Sequence, residues 1–313
     1  MKKKVAVVGS YNTDLTIKTE RIPRPGETII GGKFSEGGGG KGANQAVAAA
    51  RAGAEVSLIA RVGNDVLGIG GIRRLSDEGI NTDLILYDKD APTGVAFIVV
   101  DNSGQNSIVV ASGANAELNE DDIKLAEREI LSAGILLVQL ESPLDAIRSA
   151  VKKAHSGGLT VIMNPAPAQT MDEDLLSNID IITPNEVEAE MITGIKVTDK
   201  ESLREITRRF FDLGVKNVLI TLGSKGVFAG LQNSMELIPA LEVSCVDSTG
   251  AGDVFNGSLA AFLSEGMSIE KAAWMAGAAA SVSVTRMGAQ SSAPFRNEIE
   301  EFILPFKQYE VQG

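Results

Sequence analysis

Asp247-Ser248-Thr249-Gly250-Ala251-Gly252-Asp253-Val254-Phe255-Asn256-Gly257 is the stretch on which the fold turns. An apolar-leaning segment, 241–246, precedes it and an amphipathic run, 255–265, follows. That pattern predicts strand, tight turn, helix. Gly250 and Gly252 let the backbone turn with its N–H groups facing one point. With the helix N-terminus those amides form an anion site. A carboxylate, Asp253, stands at the same place. An anion and a carboxylate compete for one positive field. The pairing makes sense where an anion approaches while a proton leaves a neighbouring hydroxyl, as phosphoryl transfer to an alcohol requires. The helix dipole favours the ionised form of Asp253, which then acts as a base by position. Read alone, the stretch equally describes a helix capped by Asp253, with glycines that serve packing.

Outward from this loop the pattern is repetitive. Residues 5–8, 56–62, 84–87, 135–140, 159–163, 179–182 and 217–221 read as buried strands. Helical patterns at 43–52, 65–78, 121–131, 144–155, 187–192 and 201–213 alternate with them. Such alternation predicts an α/β fold: a doubly wound, mostly parallel sheet covered by helices. Right-handed crossovers place the strand carboxyl ends on one edge. Asn12, Glu141, Asn164, Asn185, Thr221 and Asp247 then share that edge, with Asp253 just beyond. Locally, Asn12 and Asp14 read equally as turn formers. Segments 226–229 and 235–239 predict an antiparallel pair, and 255–265, 269–285 and 297–306 a helical tail. The Ala-rich 272–280 predicts a closely packed interior helix.

Four further strands, 15–19, 28–35, 94–100 and 105–110, lack helices between them and do not fit a βαβ pattern. They predict a small β-sheet lid, within about 15–36 and 94–110, on a single domain spanning 1–313. Gly37-Gly38-Gly39-Gly40-Lys41-Gly42-Ala43-Asn44-Gln45 formally matches G-x-G-x-x-G, but no acidic residue closes the next strand as a dinucleotide site wants. It is not a P-loop either, since Ser35 and Gly42 stand at the diagnostic positions. What remains is a glycine-rich turn that lets a ligand approach the backbone, with Lys41 and Asn44 projecting from a helix start.

Composition narrows the function. A net charge of −12 argues against nucleic acid or an anionic membrane as partner. The single cysteine, Cys245, excludes an internal disulfide and reads as a buried structural thiol. The single histidine, His155, falls in the last turn of a helix, where it complements the dipole. One histidine leaves no room for Ser-His-Asp chemistry or a His-rich metal site. The apolar run after Met1-Lys2-Lys3-Lys4 is too short for a signal peptide, and no stretch of ~18 apolar residues suggests a membrane span. A cytoplasmic location is expected.

Taken together, these segments resemble the ribokinase family of sugar and nucleoside kinases nearly end to end. Gly9-Ser10-x-Asn12-x-Asp14 and Gly39-Gly40-Lys41-Gly42-Ala43-Asn44-Gln45-Ala46 look like its first signature, and the loop 247–253 like its second. Asn164-Pro165-Ala166-Pro167, Thr183-Pro184-Asn185-Glu186 and Thr221-Leu222-Gly223-Ser224 are similar to intervening stretches. The resemblance implies ATP-dependent phosphorylation of the 5-hydroxyl of D-ribose. It implies that Asn12, Thr13, Asp14, Gly40, Lys41, Gly42, Ala43, Asn44 and Glu141 contact the sugar and that Asp253 is the base. Gly250, Ala251 and Gly252 would supply the anion hole. Asn185, Thr221, Leu222, Gly223, Ser224, Lys225, Gly226, Gly252 and Gly277 would contact ATP, Gly277 through its backbone alone. A monovalent-cation (K⁺) loop would use Asp247, Thr249, Ser283, Arg286, Gly288 and Ser292. Glu188 would hold Mg²⁺ through water. A homodimer joined through the lid sheets is also implied.

The residue types agree with a free sugar. Asn, Asp and Glu offer the donors and acceptors a neutral polyol needs. A phosphosugar would call for Arg or Lys, and only Lys41 is basic there. Aromatics make up 4% of the chain, and none stands among the proposed sugar residues to stack a nucleoside base. Another free-sugar or nucleoside kinase is the nearest alternative. A dinucleotide oxidoreductase and a ligand-binding regulator that lost the chemistry are the others.

Overall fold

The computed structural model describes residues 3–309; Met1, Lys2 and residues 310–313 lie outside the described residues, so the predicted domain 1–313 is seen without its ends. The first half of the chain runs β1 (Val5–Val8), β2 (Asn12–Lys18), β3 (Lys33–Gly39), α1 (Lys41–Arg51), β4 (Val56–Gly63), α2 (Val66–Asp77), β5 (Ile85–Asp88), β6 (Gly94–Val100) and β7 (Asn106–Ala111). There follow α3 (Glu120–Leu125), α4 (Glu127–Ser132), β8 (Ile135–Val138), α5 (Leu144–Ser156), β9 (Thr160–Met163), α6 (Glu173–Leu176), β10 (Ile181–Ile182), α7 (Glu186–Thr193) and α8 (Lys200–Asp212). The last part holds β11 (Asn217–Thr221), β12 (Val227–Gly230), β13 (Met235–Ile238), α9 (Ala251–Ser264), α10 (Ile269–Ser283) and α11 (Arg296–Ile303).

Among the described residues these strands form a nine-stranded sheet, ordered β13-β12-β11-β10-β9-β8-β1-β4-β5, and a four-stranded sheet, ordered β3-β2-β6-β7. From β11 to β5 the large sheet is parallel, and β12 and β13 add an antiparallel edge. The short apolar strands are buried on both faces, as continuous Val/Ile/Leu runs require. Val5, Val7, Leu137 and Ile162 belong to the core layer of α1, α9 and α10. Ala6, Val8, Val138 and Met163 belong to the opposite layer, with α5, α7 and α8. Each fully buried Val, Leu or Ile contributes ~1.5–3 kcal/mol, so two continuous cores dominate the stability.

The chain leaves β1 toward β4 on one side and returns as β8 on the other. The strand order therefore reverses between β1 and β8, and ligands of such folds bind beyond strand carboxyl ends at that crevice. Two helices meet over it. At their crossing, a Cβ built on Gly257 of α9 would overlap the main-chain carbonyl of Gln45 and stand 2.7 Å from Ala48 Cβ. Glycine is what lets α9 lie directly on α1.

The structure corrects several expectations. Segment 241–246 is not a strand; it crosses from the sheet edge to α10, and Val246 N and Asp247 N donate to Val284 O at 2.7 and 3.1 Å. Cys245 lies in this segment and is exposed, not buried, because no sheet covers it. Strand β2 begins at Asn12 rather than Leu15, and β3 runs through Gly37, Gly38 and Gly39 instead of ending before them. Pairing with β6 on one side of β2, and glycine's tolerance of extended backbone, override the local turn signals. The predicted helix 121–131 is two short helices that meet at Ala126. The Ala-rich α10 is interior, as expected, with Ala272, Ala273, Ala276, Ala278 and Ala279 buried. No helix of the described residues is long and apolar enough to cross a membrane.

Candidate active site

Ser10 follows β1 and Glu141 follows β8, one on each side of the sheet's reversal. Ser10 Oγ donates to Glu141 Oε2 at 2.6 Å, and the main-chain N–H of Lys41, opening α1, donates to the same oxygen at 2.8 Å. Gly40 caps α1 at φ 85°, the left-handed region that glycine reaches without strain. Gly42 must also be glycine, since a Cβ there would stand 2.5 Å from Ser10 N. Ala43, fully buried, donates its N–H to Ser10 O at 2.8 Å. The glycine-rich segment thus seats the N-terminus of α1 against the end of β1.

Asn44, on the next position of α1, donates Nδ2 to Asp253 Oδ2 at 2.9 Å, and Gln45 Nε2 donates to Asp253 Oδ1 at 3.0 Å. Asp253 lies in the first turn of α9 behind Gly250, itself at φ 74°. The predicted turn and helix are therefore present, while the strand before them is not. Asp253 does not cap the helix: Gly250 is the N-cap, with no side-chain cap bond.

A polar cavity of about 200 Å³ opens before this turn, lined by Lys41, Asn164, Thr183, Asn185, Glu188, Thr221, Gly250, Ala251, Gly252, Asp253 and Asn256 among others. A Cβ built on Gly252 would meet nothing within 4 Å, so that face is open to a ligand. Asn12, Asp14, Asn44 and Glu141 are not on its wall; Asn12 and Asp14 belong to β2 of the four-stranded sheet. Asn12 and Asp14 point to the same face of β2, two residues apart, and Asn12 Oδ1 accepts from Asn115 Nδ2 at 2.8 Å. Thr13 alternates to the other face, its Oγ1 3.5 Å from Tyr11 Oη.

The electrostatics are those of a crowded carboxylate site with one cation. Burial pushes the Asp253 carboxyl above its ordinary value; Lys41 and the amides of Asn44 and Gln45 pull against this, and Glu141 adds to it. The expected dominance of the helix dipole is therefore reversed by desolvation. Asp14 is pushed up to about 6 by burial and by the negative charges of Glu141 and Asp253. Burial pulls the Lys41 ammonium down, but Asp253, Glu141 and Glu188 outweigh it and hold it raised. Burial also raises Glu188, against a main-chain hydrogen bond from Asn185 and the charge of Lys41.

Further along the sheet edge, Asn185 caps α7 and bridges to Thr221, whose N–H donates to Pro184 O at 2.9 Å. Glu188 completes this cap, Oε2 accepting from Asn185 N at 2.8 Å and Oε1 from Asn185 Nδ2 at 2.9 Å. Leu222 is buried in the core, while Gly223, Ser224 and Lys225 form an exposed turn that Gly226 closes at φ 107°. Gly277 on α10 faces open space. Beyond the loop, Asp247 Oδ2 accepts from Gly288 N at 2.8 Å and Oδ1 from Thr249 N at 2.9 Å. Burial raises the Asp247 carboxyl, but those amides outweigh it and hold it below the ordinary carboxylate range. Ser283 and Ser292 are buried nearby in sequence, their hydroxyls donating to Ala280 O and Ala289 O, and Arg286 is paired with Glu298. No group of three or more His, Cys, Asp or Glu side chains converges to hold a metal among the described residues.

Sequence reasoning assigned no role to Gln45, Asn256 or Ser10. Asn256 Nδ2 donates to Gly252 O at 2.8 Å, and its Oδ1 accepts from Thr183 Oγ1 at 2.5 Å, which holds the glycine turn in place. A signal existed: Gln45 and Asn256 are isolated amides on otherwise apolar helix faces, and Asn256 is three residues from Asp253.

The sequence matches the pfkB family carbohydrate kinase profile over residues 2–296. It is 45% identical over 303 residues to ribokinase of Haemophilus influenzae, covering 97% of this chain and 99% of that protein. The structure is similar to the crystal structure of ribokinase from Thermotoga maritima (TM-score 0.89, 38% identity, 96% of this chain and 99% of that one). It is also similar to ribokinase of Arabidopsis thaliana complexed with ribose and ATP (TM-score 0.90, 33% identity, 97% and 99%).

Proposed function

The chain belongs to the pfkB family of carbohydrate kinases, and on that footing we propose that it transfers the γ-phosphoryl group of ATP to the 5-hydroxyl of D-ribose. The observation that carries this reading is Asp253: a buried carboxylate held by Asn44 and Gln45, between an open glycine turn and the acidic pocket of Asp14 and Glu141. The related H. influenzae and A. thaliana ribokinases support ribose and ATP as the substrate pair.

In this reading Asn12, Asp14, Asn44 and Glu141 receive the sugar, with the backbone of Gly40, Lys41 and Gly42 closing around it. Asn44 Oδ1 is buried without a partner, an acceptor suited to a sugar hydroxyl. Asp253 takes the proton of the attacking hydroxyl. Its raised pKa makes it a stronger base than an exposed aspartate. The open amide face of Gly250, Ala251 and Gly252 stabilises charge on the transferring group, and Lys41 offsets the surrounding carboxylates. Asn185, Thr221 and the exposed turn at Gly223, Ser224 and Lys225 receive the nucleotide, with Leu222 and Gly277 restricted to backbone contact.

Mg²⁺ fits Glu188. Each of its oxygens accepts one hydrogen bond from Asn185, which leaves lone pairs facing the cavity for a coordinated water. Such an ion would neutralise charge on the phosphates. For K⁺ the hard oxygen donor present is the Asp247 carboxylate, held in its charged form and joined to loop 283–292 by Gly288 N. A cation there would stiffen the segment that leads into the glycine turn.

The four-stranded sheet serves as the lid, because Asn12 and Asp14 lie on one of its faces. Its other face presents Ile17, Phe34, Phe97 and Val109 to solvent at 40–67% exposure, which favours a homodimer through the lids. A cytoplasmic enzyme fits the ATP requirement. The decisive experiment is a coupled assay of ADP release over a panel of free sugars, nucleosides and sugar phosphates. D-ribose should give the highest kcat/KM, and a better nucleoside or sugar phosphate would replace this reading.

A further inference from the structure

Two glutamines lie completely buried beside the site, Gln45 on α1, which donates to Asp253, and Gln139 just past β8, and neither receives substrate in the reading above. Their amides belong to one chain of hydrogen bonds whose direction is set at one end. The main-chain carbonyl of Thr183 can only accept. Asn164 Nδ2 donates to it at 3.1 Å, which turns Asn164 Oδ1 toward Gln45. Gln45 Nε2 donates to that oxygen at 3.1 Å and to Asp253 Oδ1 at 3.0 Å, so both of its hydrogens are used. Gln45 Oε1 accepts from Gln139 Nε2 at 2.6 Å. Turning the Gln45 amide over would set its oxygen against two acceptor oxygens and its nitrogen against another nitrogen.

The chain ends at Gln139 Oε1, which is buried without a partner, beside Gly9, where a Cβ would overlap it. A leucine would fill the same place and remove this orphaned oxygen, but it would leave Gln45 Oε1 without its donor. The amide at 139 therefore has one hydrogen-bonding task, donation to Gln45. We propose that Gln45 is a positioning residue for phosphoryl transfer, fixing one oxygen of Asp253 while Asn44 fixes the other, and that Gln139 keeps the Gln45 amide correctly turned. The inference rests on Asp253 as the base. Gln45 is wholly enclosed and reaches the sugar only through Asp253. Two donors from successive residues of one helix fix the carboxylate plane and leave an unshared lone pair for the hydroxyl proton. Both donors also favour the ionised carboxylate over the protonated one.

The test uses the full chain with Gln45→Leu, Gln139→Leu, the double variant and Asp253→Asn, measured for melting temperature, kcat and KM across pH. Gln45→Leu should lower kcat by ~10–100-fold, with KM for ribose within a few-fold, because positioning acts on the transition state. The acid limb of its kcat profile should move to higher pH, since a donor to the charged form is lost. Gln139→Leu exchanges one orphaned oxygen for another, so it should melt close to the parent, lose activity less than Gln45→Leu, and shift the same limb in the same direction. The double variant should match Gln45→Leu within about twofold, because Gln139 acts only through Gln45. An acid limb that stays in place in both single variants, or a double variant whose loss is the product of the singles, overturns the proposal. If Gln45→Leu does not fold, the limb of Gln139→Leu decides alone. An Asp253→Asn variant that keeps its kcat would instead remove the base assignment itself.

Discussion

Asn44 Nδ2 donates to Asp253 Oδ2 at 2.9 Å, joining the first turn of α1 to the first turn of α9 across 209 positions of sequence. The bond makes the proposed sugar site and the proposed base one rigid unit. Gly257 allows it, because only a residue without a side chain lets the two helices approach this closely.

Replacing Asp253 with Asn should therefore abolish turnover while leaving ribose binding largely intact. Asparagine preserves the shape but cannot take a proton, and loss of a positioned base costs ~10²–10⁴-fold in kcat. Titration calorimetry should find ribose affinity within a few-fold of the parent, with the fold checked by melting. A kcat near the parent's would mean that Asp253 has only a structural role.

Asp14, pushed up to about 6, gives sugar affinity a pH dependence near neutrality. Its ionised form is the acceptor that hydroxyls need, so KM for ribose should rise as pH falls through about 6. Stability has the opposite sign. A carboxyl raised on folding binds its proton more tightly in the folded state, so its favourable contribution exists at low pH and is lost as pH rises through the folded value. Asp14→Asn should thus melt higher than the parent at pH ~7.5 yet bind ribose poorly, and the melting advantage should shrink below pH ~4. An equal or lower melting temperature at pH ~7.5 would count against the buried-carboxylate account.

Substrate choice should follow the site's charge. Asp253, Glu141 and Glu188 act on Lys41, and Asp14 feels Glu141 and Asp253, so a phosphate already carried by the sugar meets repulsion. We expect kcat/KM for fructose 6-phosphate to lie at least ~10²-fold below that for ribose, a difference of about 2.7 kcal/mol. Steady-state assays that include fructose, 2-deoxyribose and adenosine measure it. Preference for the phosphosugar would contradict the charge argument.

A monovalent cation held by Asp247 and loop 283–292 should activate without entering the chemistry. Exchanging K⁺ for a bulky organic cation at constant ionic strength should lower kcat about tenfold, equivalent to ~1.4 kcal/mol of barrier. Asp247→Ala should make the rates in the two salts equal. Equal rates in the parent would remove the cation site.

Gly257→Ala probes the crossing of α1 and α9 directly. The added methyl meets Ala48 Cβ at 2.7 Å and the backbone of α1, so the helices must separate. Overpacking of this kind costs ~1–3 kcal/mol, readable as a lower melting temperature. Because separation also lengthens the Asn44–Asp253 bond, kcat should fall even where the protein is fully folded. A stable, fully active variant would show that the crossing has slack.

Much of this was already written in the chain. Alternating apolar strands and amphipathic helices determined the parallel sheet, because burial on both faces leaves a periodic trace in composition. Gly250, Gly252 and Asp253 announced a glycine turn that opens a helix with a carboxylate in its first turn, because turn chemistry is local. What tertiary structure alone decided was pairing and environment. The glycines at 37–39 read as a turn and are a strand, since β2 supplies their partner. Segment 241–246 reads as a strand and Cys245 as buried, yet neither is so, since no neighbouring strand pairs with the segment. The hydrogen bonds of Gln45, Gln139 and Asn256 exist only because distant segments of the chain meet. The Asp253 carboxyl shifts upward because desolvation, a property of the assembled core, outweighs Lys41 and the amides of Asn44 and Gln45 that favour its charged form.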